Sequence, residues 1–236
     1  MGRREIITID GPAGAGKSTL GRLLAQSLGY LYLDSGALFR AVAWQTRRLG
    51  LDLSHTQALS AFLDKFQPEV ISDDRGFHLL LDGVEVSGEL RGAQVSREAS
   101  KVAALPLVRR WVKKRLRHLA RNGGVVAEGR DQGTAVFPQA DVKFFLNADL
   151  NTRAARRRQD FQQAGSPPSL EDIAAELAAR DRRDQTRAEA PLIVPPGAIV
   201  IDTTNLSAAE VLRQCLARIE ALRQPGRRKP KPSKPV

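Results

Sequence analysis

Cysteine is almost missing from this chain: Cys215 is the only one in 236 residues, so no internal disulfide can form, and within a helical pattern it reads as a small core filler. Such usage fits a reducing, cytoplasmic address. Histidine is scarce as well. His55, His78 and His118 are scattered away from any chemical motif and read as surface or packing residues, so no histidine base is on offer. No apolar run approaches the length that crosses a bilayer, which excludes a membrane-spanning helix. The N-terminus passes within a few residues into a strand pattern, without an apolar leader or a small-residue cleavage site. Acidic residues vanish from Arg223 onward, where six basic residues stand alone; without them the formal charge of +11 falls to +5, with 31 Lys and Arg against 26 acids. The body is therefore only moderately basic. The run from Pro225 to Val236 lacks a core-forming pattern and reads as a disordered, partly polyproline extension, first a solubilising tail and second a weak contact for a polyanion.

What remains is ordinary globular material, 42% hydrophobic and 27% charged, long enough for one large α/β domain. One stretch stands out. Gly11-Pro12-Ala13-Gly14-Ala15-Gly16-Lys17-Ser18 fills the pattern of a phosphate-binding loop. The β-branched run Glu5 to Asp10 precedes it, and Leu20, Leu23, Leu24 and Leu28 follow at helical spacing, which is the strand-to-helix setting the motif needs. Glycines let several backbone N–H groups converge on phosphate oxygens, and the helix N-terminus adds partial positive charge. Lys17 is expected to reach the β and γ phosphates, and the Ser18 hydroxyl to sit on Mg²⁺.

Further along, Leu31 to Leu33 reads as a strand leading through Asp34-Ser35-Gly36 into a helix over Ala37 to Leu49, with Ser35 as its cap and Arg40 one turn in. Leu59, Phe62, Leu63 and Phe66 mark a short helix. Two strands, Glu69 to Ser72 and Phe77 to Leu81, are joined by a turn at Asp73-Asp74-Arg75-Gly76 and followed by Val84 to Val86, an antiparallel insert in the strand–helix alternation. Helices are expected over Ala93 to Ala104 and Pro106 to Arg121, the second burying Val108, Trp111, Val112, Leu116 and Leu119 and solvating Arg110, Lys113, Lys114, Arg117 and Arg121. Val125 to Glu128, Val142 to Leu146 and Ala198 to Asp202 complete five parallel strands of a doubly wound domain. A helix opening at Asn147 to Asn151 and ending near Gly165, another starting at Ser169, and a last one boxed by Ser207 and Glu210 fill the intervals.

Arginine recurs where strands and helices end: Arg40, Arg130, the cluster Arg153, Arg156 and Arg157, then Arg180 and Arg187. If the acceptor is itself a phosphate monoester, two polyanions must meet, and each pair of unit charges at about 4 Å repels by roughly 4 kcal/mol in a partly desolvated site. Arginine forks bind phosphate bidentately and keep their charge. A monoester's second pKa near 6 leaves its attacking oxygen ionised at pH 7, so the missing histidine base is not needed.

Five stretches together resemble the bacterial cytidylate kinases of the nucleoside monophosphate kinase family, over about Ile6 to Leu222. They are the phosphate loop; Asp34-Ser35-Gly36-Ala37-Leu38-Phe39-Arg40; Glu128-Gly129-Arg130-Asp131-Gln132-Gly133-Thr134; Ala179-Arg180-Asp181 with Asp184 and Arg187; and Ala190-Pro191-Leu192. The resemblance implies a three-layer α/β P-loop kinase fold with a five-stranded parallel sheet, an inserted antiparallel monophosphate-binding subdomain and a helical lid. It implies a kinase domain over 1–222 (core 1–36, 93–149 and 188–222; monophosphate-binding region with insert 37–92; lid 150–187), with the tail at 223–236. The implied reaction moves the γ-phosphoryl group of ATP to CMP or dCMP, with Mg²⁺, in a monomer. ATP would be held by Gly11, Pro12, Ala13, Gly14, Ala15, Gly16, Lys17, Ser18 and Thr19. Ser35, Arg40 and Arg130 would grip the acceptor phosphate, Asp131 and Asp184 the sugar hydroxyls or base region, and Ser100, Arg109 and Asp184 the cytosine edge. Arg153 and Arg157 would be lid arginines, Arg180 would bridge the two phosphates, and Arg187 would complete the acceptor side. Phe39 stands where the family usually has tyrosine, Gln132 where it has an apolar residue, and Gln185 where it has a small one. Two other readings stay open: a related kinase acting on uridylate, shikimate or gluconate, and a nucleotide-dependent switch or nucleic-acid-binding ATPase, which the tail and a pI near 10.5 favour.

Overall fold

In the computed structural model, residues 4–73, 76–90, 92–162 and 168–224 are described. The tail from Pro225, the turn residues Asp74 and Arg75, and the end of the helix expected near Gly165 lie outside them. Five parallel strands, β1 (Ile6–Asp10), β2 (Leu31–Asp34), β6 (Val125–Gly129), β7 (Val142–Asn147) and β8 (Ile199–Asp202), form a sheet in the order β2-β6-β1-β7-β8. Both faces are covered, which explains why β1 and β6 read as continuous apolar runs. On one face α1 (Lys17–Leu28) and α8 (Ala208–Arg223) pack Leu24, Cys215 and Ile219 against Ile7, Ile9, Val126 and Phe144. On the other, α2 (Ser35–Arg48) and α5 (Pro106–Leu119) bring Leu38, Val42, Val112 and Leu116 to Leu33, Val125 and Ala127. Cys215 is fully buried, as its helical setting predicts.

The antiparallel insert consists of β3 (Glu69–Asp73), β4 (Gly76–Leu81) and β5 (Val84–Glu85) and follows α3 (Thr56–Lys65). Its buried residues Leu79 and Val86 join the core beneath α2 and α5. Next comes α4 (Ala93–Val102), and beyond β7 the pair α6 (Leu150–Gln162) and α7 (Leu170–Thr186). That pair seals a small cluster of Ala154, Ile173 and Leu177 on Ala13 of the phosphate loop. Among the described residues, no helix is long and apolar enough to cross a membrane.

One expectation at a helix start is corrected. Asp34, not Ser35, caps α2: its Oδ1 accepts from the Ala37 N–H at 2.9 Å, and Ser35 is already the first helical residue. A carboxylate and a hydroxyl cap equally well, so adjacent candidates cannot be ranked by residue type. The capping box of Ser207 and Glu210 forms as read, and Ser169 caps α7. Past β6 the chain makes a π-helical turn at Gln132–Val136 that has no periodic signature in sequence.

Candidate active site

Parallel register brings the carboxyl ends of three strands together. Asp10 lies opposite Gly129, and Asp34 opposite Glu128. Such an edge is where open α/β sheets hold ligands. Gly11 turns the chain out of β1 at φ 145°, and a Cβ there would meet the Leu146 carbonyl oxygen at 2.1 Å. The N-cap of α1, Gly16, has φ 87° and no side chain to occupy the first N–H groups, which leaves them for an anion. Lys17 Nζ lies along the loop and donates to the Pro12 carbonyl at 2.6 Å. Burial pulls the Lys17 pKa down, the positive charges of Arg130 and Arg180 pull it further, and Glu128 opposes them. Ser18 Oγ donates to Glu128 Oε1 at 2.5 Å, and the Tyr32 hydroxyl donates to the same oxygen at 2.9 Å. Burial raises the Glu128 pKa, and the neighbouring Asp34 charge adds to the rise. A hydroxyl and a carboxylate side by side at the loop suit a hard cation. Among the described residues no three His, Cys, Asp or Glu gather as a metal cage.

Across from the loop, carboxylates and arginines alternate. Arg40 pairs with Asp34 at 2.8 Å, and Arg130 Nε donates to Asp184 Oδ2 at 3.0 Å. Arg187 stands 3.7 Å from Asp131 and 3.8 Å from Asp184. Arg109 is buried, donates to Asp131 Oδ2 and to the Ala103 carbonyl, and lies over the Phe39 ring. Burial alone would raise the Asp184 pKa, yet Arg130, Arg180 and Arg187 hold it below the ordinary aspartate value. Arg180 is less well matched. Its Nε has no hydrogen-bond partner, and burial together with the like charge of Arg130 pushes its pKa down to about 10, against the pull of Asp184. Lys17, Arg130 and Arg180 thus repel one another at the meeting point of the two halves. An anion bound here would relieve that repulsion.

The cytidylate kinase family model matches residues 7–221, nearly the whole described chain. The chain belongs to the cytidylate kinase family. A cytidylate kinase of Pasteurella multocida is 41% identical over 220 residues, covering 93% of this chain and 97% of its own. One from Geobacillus kaustophilus is 43% identical over 216 residues, covering 92% and 96%. A bifunctional pantoate ligase/cytidylate kinase of a Synechococcus strain is 45% identical over 213 residues; the match covers 89% of this chain but 39% of that longer protein.

Not every residue that the cytidylate kinase resemblance singles out faces the cationic meeting point. Arg153 is buried, with Nε on the Ala148 carbonyl at 3.0 Å and Nη1 shared between the Ala13 carbonyl at 3.1 Å and Asp181 Oδ2 at 2.6 Å. It ties α6 and α7 to the phosphate loop. Arg157 reaches Ser96 Oγ at 3.5 Å and lies over Phe161, with its charge still felt at Arg180. Ser100 Oγ accepts from Arg183 at 3.4 Å rather than meeting Arg109 or Asp184. Ser35 Oγ donates to the Glu128 carbonyl at 2.8 Å, and Thr19 is exposed on the first turn of α1. Motif reading assigned no role to four carboxylates, Asp10, Asp34, Glu128 and Asp181, although the last three stand within the stretches quoted for the family. Three of them share one signal, an acid as the last or next-to-last residue of an apolar strand.

Proposed function

We propose that this protein transfers the γ-phosphoryl group of ATP to CMP and dCMP, giving ADP with CDP or dCDP. The observation that carries the reading is the gathering of Lys17 of the phosphate loop with Arg130 and Arg180, close enough that the two arginine charges lower the Lys17 pKa, and the family match supports it. The loop amides and Lys17 hold the donor phosphates. Arg40 and Arg130 leave Asp34 and Asp184 to take the acceptor phosphate, Arg180 spans the two, and Arg187 closes the acceptor side. Asp131, Asp184 and Arg109 face the sugar and the cytosine, whose exocyclic amine a carboxylate can accept. Ser18 and Glu128 are the residues that would hold Mg²⁺, which would offset the charge of the donor phosphates. No protein base is required, because the acceptor dianion attacks already deprotonated. The three histidines are engaged elsewhere: His55 caps α3, His78 pairs with Asp73 and Glu85, and His118 meets Arg121. The reading includes a cytoplasmic monomer with a solubilising basic tail, weak polyanion contact being its second role.

A coupled assay of ADP release across nucleoside monophosphates, shikimate and gluconate tests it. CMP and dCMP should give the highest kcat/KM. An equal rate with UMP or a sugar acid overturns the assignment, and so does ATP hydrolysis that is stimulated by DNA or RNA and indifferent to CMP.

A further inference from the structure

Tyr32 is 6% exposed, and its hydroxyl donates to Glu128 Oε1 at 2.9 Å. Ser18, which is open to solvent, donates to the same oxygen at 2.5 Å. Three other elements hold the tyrosine in this pose. Its main-chain N–H donates to Ser72 Oγ of β3 at 3.1 Å, and its ring meets Phe77 of β4 edge-on, with 6.4 Å between centroids and 83° between planes. On the α1 side the ring lies against Gly21, where a Cβ would come within 2.7 Å of Tyr32 Cε2. Packing alone does not call for the hydroxyl, since phenylalanine makes the same ring contacts. What the phenol adds is a donor, buried and aimed at one carboxylate oxygen.

Resting on the assignment of Ser18 and Glu128 to Mg²⁺ above, we propose that Tyr32 is a positioning residue, whose hydroxyl sets the Glu128 carboxylate so that Ser18 and Glu128 can together receive the cation that accompanies ATP. A hydroxyl has one proton and two lone pairs. With its proton on Glu128, Ser18 keeps its lone pairs for a cation. Tyr32 has no such second task and stays with Glu128 whether or not a cation engages Ser18. Hydrogen bonds to a carboxylate are strong, and the groups that orient a metal ligand commonly matter tenfold or more for affinity. Ser72 and Phe77 belong to the antiparallel insert, so the insert, by seating Tyr32, supports the donor side of the site as well.

The test measures by calorimetry the Kd of an uncleavable ATP analogue, with nitrogen bridging the β and γ phosphates, in excess Mg²⁺ and in EDTA. The ratio of the two constants is what the protein gains from the cation. In Tyr32→Phe that ratio should fall about tenfold, while the Kd in EDTA stays near the wild-type value, because the loop amides and Lys17 are untouched. Excess Mg²⁺ should recover most of the phosphoryl-transfer rate. In a Glu128→Gln background the same change should leave the ratio where it is, since Tyr32 then has no carboxylate to set. An unchanged ratio in Tyr32→Phe overturns the proposal, and so does equal weakening in both buffers, the mark of a merely structural residue. Should Tyr32→Phe fail to fold, near-ultraviolet difference spectra of Tyr30→Phe, in which Tyr32 is the one remaining tyrosine, decide instead. Adding Mg²⁺ to its nucleotide complex should perturb the tyrosine band, and an unmoved band overturns the proposal. If the wild-type protein gains nothing from Mg²⁺, the cation assignment fails first and takes this inference with it.

Discussion

Asp10 shows how one residue can serve the site at a cost to the fold. It is fully buried, and burial pushes its pKa up to about 7 although the N–H groups of Gly133 and Gln132, both at 2.7 Å, pull the other way. Below about 3.8, the ordinary value, the carboxyl is protonated in folded and unfolded chains alike, and no penalty arises. As pH rises from there to about 7 the unfolded chain loses its proton first, so the folded state loses stability, and above about 7 the loss is complete. Urea unfolding at pH 5, 6, 7 and 8 should therefore show wild type losing ground to Asp10→Asn up to neutrality and then running parallel to it. A pH-independent difference between the two would show that Asp10 is not the titrating group. Asp10 was legible in sequence as the last residue of a strand, but its burial was not. That depends on the π-helical turn folding back over it from more than a hundred residues away.

Among elements, α6 and α7 carry the least predictable part of the site. Their arginines look alike in sequence, yet packing gives them opposite tasks: Arg153 is committed to Ala13, Ala148 and Asp181, while Arg180 is left without a partner at Nε. The pair at 2.6 Å between Arg153 and Asp181 is the clasp, since the same guanidinium nitrogen also holds the phosphate-loop carbonyl. Replacing Asp181 by Asn leaves a buried guanidinium without its counter-charge, which costs on the order of 3 kcal/mol. We expect a urea midpoint lowered accordingly and a KM for ATP raised several-fold, with the KM for CMP changing much less. A variant as stable as wild type would remove the clasp from the account. Alternation of strand and helix was plain from periodicity at this scale, and so was the antiparallel insert. Which of Asp34 and Ser35 caps α2 was not, because both residue types cap well and only the path of the chain chooses between them.

At the scale of the molecule, the proposed donor and acceptor half-sites would share the cations Lys17, Arg130 and Arg180. Ligands that bind only the folded state raise its melting temperature by an amount that grows with the logarithm of their concentration over Kd. ADP and CMP should each do so, and Asp184→Ala should abolish the CMP shift while leaving the ADP shift in place. Equal loss of both shifts would take Asp184 off the acceptor side. The distinction is a global one, because Asp184 sits on α7 and reaches Arg130 at the end of β6, joining segments 54 residues apart.

By itself the sequence determined the strands, the α-helices and the phosphate loop, since these follow from local periodicity and from the loop's glycine pattern. It also determined that several arginines and few bases were available for the chemistry. Tertiary structure alone decided which arginines remain unmatched. The charge a side chain feels depends on its burial and on partners brought by other strands, so Lys17, Arg130 and Arg180 became one cationic site only when the parallel register set the ends of β1 and β6 side by side beneath α7.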